Sequence, residues 1–424
     1  MKEEFLQYIW ANSLYRTDEF ETQAGKPIRI LDVGKLNRDA GPDFFNARIA
    51  VGEVMLAGNI EIHLRSSDWY RHSHHLDAAY NNVILSVVKE NDTRVYTSSG
   101  REVDCIVIEY ADYLYHEYLF MRDTFKRPGC YRHLDLLDDN WFYMTLQSLA
   151  IERLERKVND IRKIFGQTNG DWEECFYRLL CKYWSADINS DTYYQLSCHL
   201  SYKTLLRYAD RLLSVEALLL GVSGLLDDAP EDHYSVNLKR EYLYLSKKYK
   251  LWEMPSGQWK FMRIRPGAFP TLRLALLAAM ICHFNSLLSY VLEAPTLKEV
   301  FSLFEVKASA YWNTHYMFGK ESVVSIKSLG VGSRQILIIN VVIPYLFFYG
   351  RERGEEKLVE KALQWMEEIK PENNYIVRSW EKYGFVFDSA LHTQALIQLR
   401  KEYCDKHDCL RCRIGREIFA QLKH

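Results

Sequence analysis

The chain has 424 residues, of which 48% are hydrophobic, and a net charge of −2. This composition excludes a disordered or fibrous protein, and the balance of 54 Lys and Arg against 56 Asp and Glu argues against a general binder of polyanions. The nine cysteines are scattered along the chain, which indicates a reducing compartment rather than a disulfide framework.

One helix and five or six strands are predicted first along the chain. Residues 1–15 carry apolar side chains at helical spacing. We predict strands at residues 28–33, 45–51, 54–64, 83–89, 94–97 and 103–110. The second and third of these alternate on either side of Gly52-Glu53, as the strands of a β-hairpin do. Residues 1–128 are therefore predicted to form an α+β domain.

Helical patterns dominate the chain after Cys130. We predict helices at residues 138–165, 172–186, 203–221, 235–250, 270–292, 296–316, 333–349, 354–369, 388–402 and 411–422. Gly and Pro residues separate these segments. The sequence thus predicts a second, mostly helical domain over residues 129–424.

Two apolar stretches bear on localisation. Residues 274–281 and 336–349 are shorter than the roughly 20 apolar residues that a membrane span requires, so we expect buried core and no membrane partner. The chain opens with two acidic residues within MKEEFLQYIW, where a secreted protein would begin its apolar run. We therefore expect a cytoplasmic protein.

Two acidic residues and a histidine mark the predicted hairpin as a candidate site. Pro42-Asp43 comes just before its first strand, and Glu61-Ile62-His63 lies on its second strand. Residues two apart on a strand share a face, so Glu61 and His63 project together, and Asp43 can lie beside them. Such oxygen ligands suit Mg²⁺ or Mn²⁺, and a bound cation would activate water and neutralise charge on a phosphodiester.

The order of these elements resembles the core of the PD-(D/E)xK nuclease superfamily. The resemblance rests on helix 1–15, strand 28–33, Pro42-Asp43, Glu61-Ile62-His63, a short helix near residues 74–81 and strand 83–89. It implies a restriction-endonuclease-like α/β core, Asp43 and Glu61 as metal ligands, and a groove for a nucleic-acid backbone. His63 occupies the position of the superfamily's lysine, and a histidine is only partly protonated near neutral pH.

Three functional hypotheses follow from this resemblance and from the replacement of the superfamily's lysine by His63. The leading hypothesis is a metal-dependent nuclease, a hydrolase acting on DNA or RNA, with His63 as the third active-site group. The main alternative is a non-catalytic nucleic-acid-binding or scaffold protein with a degenerate nuclease-like core. The third is an enzyme that uses the nearby histidines for unrelated metal chemistry.

A histidine cluster follows the predicted hairpin. His72 and His74 could act as acid or base, or complete a metal site. The alternative is a solvated turn that leads into a helix, with Trp69 packed on the sheet. Arg65 and Arg71 are candidates for phosphate contacts, because guanidinium groups bind phosphate in a bidentate manner.

A basic and aromatic segment covers residues 259–273. Its alternating side chains, with Arg263 and Arg265 at the centre, are typical of a surface that follows a nucleic-acid backbone. The same composition also suits a loop between helices, with arginines at helix C-termini or paired with buried acids. The second interpretation is favoured.

Three cysteines lie close together near the C-terminus. Cys404, Cys409 and Cys412, with His407 between them, are spaced as in a zinc site with three thiolates and one imidazole. An iron–sulfur cluster would instead need a fourth thiolate, for which Cys130 is a candidate. The sequence therefore predicts a metal here and leaves zinc and iron–sulfur open.

The whole chain also resembles a family of uncharacterised bacterial proteins, known only as a domain of unknown function. The segments that carry this resemblance are GPDFFNARI, GNIEIH followed by DWYRHSHHLDAAYNNVIL, RIRPGAFPTLRLA and YCDKHDCLRCRIG. This resemblance does not imply any particular activity. The sequence contains no Walker loop, GxGxxG, GxSxG or HExxH, so we expect no nucleotide cofactor.

Overall fold

Helix α1 (Glu3–Ala11) comes first in the chain. The computed structural model describes residues 2–17, 19–22, 25–37, 40–122, 128–185, 187–227, 229–284 and 286–422. Phe5 and Ile9 lie four residues apart on the buried face of α1, which explains why this segment packs as a helix. Glu3 and Glu4 occupy its first turn, where negative charge complements the helix dipole.

An eight-stranded sheet follows α1. Its strands are β1 (Phe20–Glu21), β2 (Pro27–Asp32), β3 (Lys35–Leu36), β4 (Phe44–Val51), β5 (Val54–Arg65), β6 (Val83–Glu90), β7 (Val95–Tyr96) and β8 (Glu102–Val107). The order across the sheet is β1-β2-β4-β5-β6-β8-β7, and β3 pairs with β4. Strands β2, β4 and β5 form an antiparallel meander, whereas β5, β6 and β8 run parallel. The predicted hairpin is confirmed, and β6 is buried along most of its length, as a central strand is.

The connection from β5 to β6 is a crossover of short helical pieces. It contains α2 (Asp68–Arg71) and two 3₁₀ turns, His74–Leu76 and Ala78–Asn82. The expectation of one short helix near residues 74–81 is wrong. Asp77 lies between the turns in extended conformation, and its carboxylate accepts a hydrogen bond from the backbone N–H of Ala79 at 2.9 Å, which starts a new turn.

Trp69 anchors this crossover to the sheet. Its side chain is fully buried and packs with Tyr80, Val83 and Val103. The indole N–H donates to the carbonyl oxygen of Tyr96 at 3.0 Å. The predicted packing of Trp69 on the sheet is thus confirmed, and it fixes the path of the histidines that follow.

Helices form most of the chain after β8. They are α3 (Asp112–Arg122), α4 (Asp139–Gln167), α5 (Trp172–Tyr183), α6 (Ser190–His199), α7 (Tyr202–Leu206), α8 (Leu212–Val222), α9 (His233–Tyr249), α10 (Pro270–His283), α11 (Leu287–Glu293), α12 (Leu297–Leu303), α13 (Val331–Leu337), α14 (Ile343–Arg353), α15 (Glu356–Glu368), α16 (Tyr375–Glu381), α17 (Ala390–Leu399) and α18 (Arg413–Leu422). The chain is 56% helical, so the predicted α+β class with a mostly helical C-terminal part is confirmed.

Several predicted helices end earlier than expected. The prediction of one helix over residues 296–316 is wrong beyond Leu303, because β9 (His315–Met317) pairs there with β10 (Lys320–Glu321). Gly319 turns the chain between these strands with a φ of 66°, which glycine adopts without strain. The last predicted helix, over residues 411–422, begins later than expected, because α18 starts only at Arg413 and leaves Cys409 and Cys412 in the loop before it.

One helical stretch among the described residues is long and apolar enough to cross a membrane. It covers Val331–Arg353 and joins α13 to α14 through a π turn at Ile338–Val342. Its most apolar window has a mean hydropathy of 1.6 but is 61% buried inside the protein, as the core helices of soluble proteins are. A bent pair, α10 and α11, would pass the same test only if counted as one span.

The chain divides into two compact units. Unit 1 contains residues 1–145, 374–386 and 396–424, and unit 2 contains residues 146–373 and 387–395. The sheet, α1 and the C-terminal cysteines therefore belong to the same unit. The arginines of the basic and aromatic segment belong to unit 2.

Candidate functional site

The pairing of β4 with β5 places Asp43 beside Glu61. Phe44 lies opposite Ile60 in this antiparallel pair, so the residues just outside that register meet. The backbone N–H of Asp43 donates to Oε2 of Glu61 at 3.0 Å. In return, the backbone N–H of Ile62 donates to Oδ2 of Asp43 at 3.0 Å. The two carboxylates are thus held together at the point where β4 begins.

Two histidines contact the Glu61 carboxylate. Oε1 of Glu61 lies 3.6 Å from Nε2 of His63 and 3.3 Å from Nε2 of His74. His63 reaches it because residues two apart on β5 share a face, as the sequence predicts. His74 reaches it from the first 3₁₀ turn of the crossover, where its ring stacks on Tyr80 at a centroid distance of 3.8 Å.

His72 completes a group of three imidazoles. Ligand nitrogens of His63, His72 and His74 all lie within 4.8 Å of one another. His63 and His74 are buried, whereas His72 is exposed to solvent. The structure thus brings His72 and His74 of the crossover together with His63, and His72 gives the group an open edge.

Helix α1 supplies two polar residues that the sequence analysis missed. The side-chain amide of Gln7 donates to Oδ1 of Asp43 at 2.8 Å. Glu3 lies one turn earlier, and its charge raises the pKa values of both Asp43 and Glu61. Oε1 of Glu3 is buried and has no hydrogen-bond partner among the described residues. The i,i+4 spacing of Glu3 and Gln7 was the available signal, although polar pairs of this kind are usually solvated.

Burial perturbs every acid and base at the centre of the site. Desolvation, together with repulsion from Glu61, raises the pKa of Asp43 to about 7. Desolvation raises the pKa of Glu61 to about 8. The same cause, strengthened by the charges of His74 and His72, lowers the pKa of His63 to about 3, so this imidazole is neutral.

The site has polar atoms that the protein itself does not satisfy. Within the described part of the chain, Nδ1 of His63 has no hydrogen-bond partner, and the contacts of Nε2 of His63 and His74 with Oε1 of Glu61 lack hydrogen-bond geometry. Buried polar atoms are normally paired, so unsatisfied ones that converge on two carboxylates fit a ligand. Neutral imidazole nitrogens and carboxylate oxygens form a donor set that suits a divalent cation.

A polar cavity of about 520 Å³ lies next to Gln7. Its lining includes four basic side chains, those of Lys2, Lys406, His407 and Arg411, and two acidic ones, those of Glu4 and Asp408. Two of these are paired with acids: Lys406 lies 2.6 Å from Glu402, and Arg411 lies 2.5 Å from Asp408. The cavity therefore joins the residue that holds Asp43 to a basic surface, and the sequence analysis assigned no phosphate contact to it.

The predicted nucleic-acid-binding arginines lie in different environments. Arg65 pairs with Glu90 at 3.1 Å, and Arg71 pairs with Asp68 at 2.9 Å, both at the surface of unit 1. Arg263 and Arg265 are exposed in unit 2. Another arginine of the same segment has a structural role, because the buried guanidinium of Arg273 donates hydrogen bonds to the carbonyl oxygens of Gly267 and Trp184.

The C-terminal cysteines meet Cys130 rather than His407. Cys404, Cys409 and Cys412 line the same small cavity as Cys130. His407 instead lines the basic cavity beside Gln7, with a left-handed φ of 54°. Of the two ligand sets that the sequence left open, the structure thus brings the four thiols together.

Comparison with known proteins identifies the family of the chain. The family described as "Protein of unknown function (DUF2851)" matches residues 3–375, so the chain belongs to this family. The predicted membership in a domain-of-unknown-function family is confirmed. The match ends before Cys404. No curated protein and no solved structure matches the chain.

Proposed function

We propose that unit 1 is a metal-dependent nuclease that hydrolyses phosphodiesters of DNA or RNA. The observation that carries the proposal is the hydrogen-bonded pair of Asp43 and Glu61, with His63 and His74 against the same carboxylate. The order of elements supports it as well. An antiparallel meander carries both acids, and a short helical crossover leads to a parallel strand, as in the restriction-endonuclease-like ground plan.

Asp43 and Glu61 would hold the cation, and the imidazoles favour Mn²⁺ over Mg²⁺. Carboxylate oxygens suit both ions, but nitrogen ligands suit transition metals better than Mg²⁺. A bound cation would lower the pKa of a water molecule and neutralise charge on the scissile phosphate. Gln7 fixes the Asp43 carboxylate by its hydrogen bond at 2.8 Å, which presents the carboxylate in one orientation.

His72 is the candidate for proton transfer. It is the exposed member of the histidine group, so solvent and a substrate at the surface can reach it. His63 is buried and neutral, and therefore does not supply the fixed positive charge of the superfamily's lysine. The cavity beside Gln7 offers the positive charges of Lys2, Lys406 and Arg411 for the substrate backbone instead, the last two shared with Glu402 and Asp408.

One observation favours a second function, a non-catalytic nucleic-acid-binding protein. His63 is only 1% exposed, and burial keeps it uncharged, so the site lacks a cation of its own beside the scissile position. A degenerate core of this kind would keep the basic cavity and bind nucleic acid without cleaving it. The two functions differ in their need for Asp43 and Glu61.

Cleavage assays on the full chain separate the two functions. Labelled single- and double-stranded DNA and RNA are incubated with Mg²⁺ or Mn²⁺, and binding is followed by mobility shift. Asp43→Asn and Glu61→Gln each remove one carboxylate ligand with little change in shape, and exposed Glu102→Gln is the matched control. The nuclease proposal expects Mn²⁺-dependent cleavage that both site variants abolish and the control retains. Binding without cleavage supports the second function, and the absence of both overturns both proposals.

A further inference from the structure

Four cysteines from distant parts of the chain line one cavity in unit 1. Cys130 lies in a turn before α4, Cys404 ends the π turn Arg400–Cys404, and Cys409 and Cys412 lie in the loop before α18. Apolar side chains form much of the remaining lining, those of Met121, Trp380, Leu399 and Ile414. Cys130 precedes Cys404 by 274 residues, so tertiary structure and not local spacing brings the thiols together.

The loop that carries two of these cysteines is seated tightly on α18. A Cβ atom at Gly415 would lie 2.2 Å from the carbonyl oxygen of Cys409, so only glycine permits this approach. The cavity is therefore built by a specific backbone arrangement. In this arrangement Cys409 and Cys412 of the loop line the cavity.

Burial alone would keep Cys130 and Cys404 as neutral thiols. Desolvation, strengthened by the neighbouring thiols, raises the pKa values of Cys130 and Cys404 above the usual range. The charge of Arg400 opposes this shift at Cys404. A metal reverses the balance, because coordination deprotonates a thiol outright. Four thiols that line one largely apolar cavity, those of Cys130 and Cys412 buried and those of Cys404 and Cys409 half-buried, thus suit a metal better than they suit solvent.

The spacing of the sulfur atoms distinguishes a single ion from a cluster. A tetrahedral zinc site, with Zn–S bonds of about 2.3 Å, holds its sulfurs roughly 3.8 Å apart. Ligand nitrogens of the three histidines at the acidic site all lie within 4.8 Å of one another. Among the described residues, no three sulfur atoms of these cysteines lie that close together. In a 4Fe–4S cluster each thiolate binds a different iron atom, so the ligand sulfurs lie further apart than the four sulfurs that surround a single ion.

We propose that an iron–sulfur cluster of the 4Fe–4S type is held by four thiolates, those of Cys130, Cys404, Cys409 and Cys412. The cluster fastens the C-terminal helix α18 to the turn at Cys130 within unit 1. His407 is not a ligand, since it lines the other cavity. This inference does not depend on whether the acidic site cleaves nucleic acid.

Metal analysis of the full chain tests the proposal. The protein is purified under anaerobic conditions, and iron, zinc and acid-labile sulfide are measured together with the visible absorption spectrum. Cys130→Ser and Cys409→Ser each remove one proposed ligand. His407→Ala tests the alternative zinc ligand, and exposed Cys198→Ser in unit 2 is the control. Circular dichroism reports whether each variant folds.

The expected result is about four irons and four sulfides per chain, with a visible charge-transfer band that dithionite bleaches. Both cysteine variants lose this content, and His407→Ala and Cys198→Ser keep it. About one zinc per chain without sulfide overturns the cluster, and loss of metal in His407→Ala overturns the ligand set. If a variant does not fold, the wild-type chain alone decides the test. The absence of iron and sulfide from it, both before and after reconstitution with ferrous iron and sulfide, overturns the proposal.

Discussion

Binding of Mn²⁺ to the acidic site should be strongly coupled to the release of protons. The pKa of Asp43 is raised to about 7 by burial and by Glu61, and burial raises that of Glu61 to about 8. Both carboxyls must be ionised to ligate a cation. Because both pKa values are raised, protons compete with the cation below about pH 8, and the affinity for Mn²⁺ increases as the pH rises.

The magnitude follows from these two values. The fraction of molecules with both carboxyls ionised rises from roughly one in a thousand at about pH 6 to roughly one half at about pH 8. The affinity for Mn²⁺ should therefore rise by about two to three orders of magnitude over this range. At about pH 6.5, each binding event should release between one and two protons. An exposed acidic pair with ordinary pKa values near 4 would show almost no change.

Isothermal titration calorimetry measures this linkage directly. Mn²⁺ is titrated into the full chain at several pH values, in buffers that differ in their heat of ionisation, and the dependence of the observed heat on the buffer counts the protons. Glu61→Gln should remove about one proton from the count and weaken binding. A pH-independent affinity, with heats that do not depend on the buffer, would refute the assignment of this buried pair as the cation site.

Three further outcomes follow from single contacts. Burial raises the pKa of Glu216 in α8 to about 7, so the folded wild-type protein loses stability as the pH rises through 7 and this carboxyl ionises. Glu216→Gln does not ionise, so its free energy of unfolding in guanidinium, relative to that of the wild type, should increase by about 3 kcal/mol between pH 4 and pH 8. A difference that does not change with pH would contradict this. Gly58→Ala should lower the free energy of unfolding by about 1–3 kcal/mol, because the new Cβ would lie 2.4 Å from Cγ2 of Ile84; equal thermal stability would speak against it. Gln7→Leu should weaken Mn²⁺ binding about 10- to 100-fold by freeing the Asp43 carboxylate, and calorimetry that shows no loss would remove Gln7 from the site.

The β4–β5 hairpin and the pairing of its two acidic residues were predictable from local patterns, whereas the short strands β1 and β3 and the order of the sheet were not. Alternation on either side of Gly52-Glu53 predicts the hairpin, and its register then places Asp43 next to Glu61. The shared face of Glu61 and His63 follows from the period of a strand. These features depend on residues that are close in sequence, so one chain suffices to predict them.

The contributions of α1 and Cys130 were not predictable in the same way. Gln7 and Asp43 are 36 residues apart, and their contact depends on how a helix packs on a sheet. The sequence left His407 and Cys130 as competing ligands, because local spacing favours the histidine while only the fold brings the distant thiol to the cavity. The two short turns at residues 74–82 were missed for a local reason. Asp77 caps the second turn and so interrupts the helix that the sequence pattern predicts.

The two proposed metal sites are linked through α1 within unit 1. Tyr8 on α1 packs against Phe419 of α18 with ring centroids 5.5 Å apart, and Arg416 of α18 donates to Asn12 at 3.3 Å. Gln7, which orients Asp43, precedes Tyr8 by one residue. A cluster that fastens α18 therefore also restrains the helix that holds the acidic pair in place. Loss of the cluster should accordingly weaken Mn²⁺ binding at Asp43 and Glu61, although no cysteine contributes a ligand there.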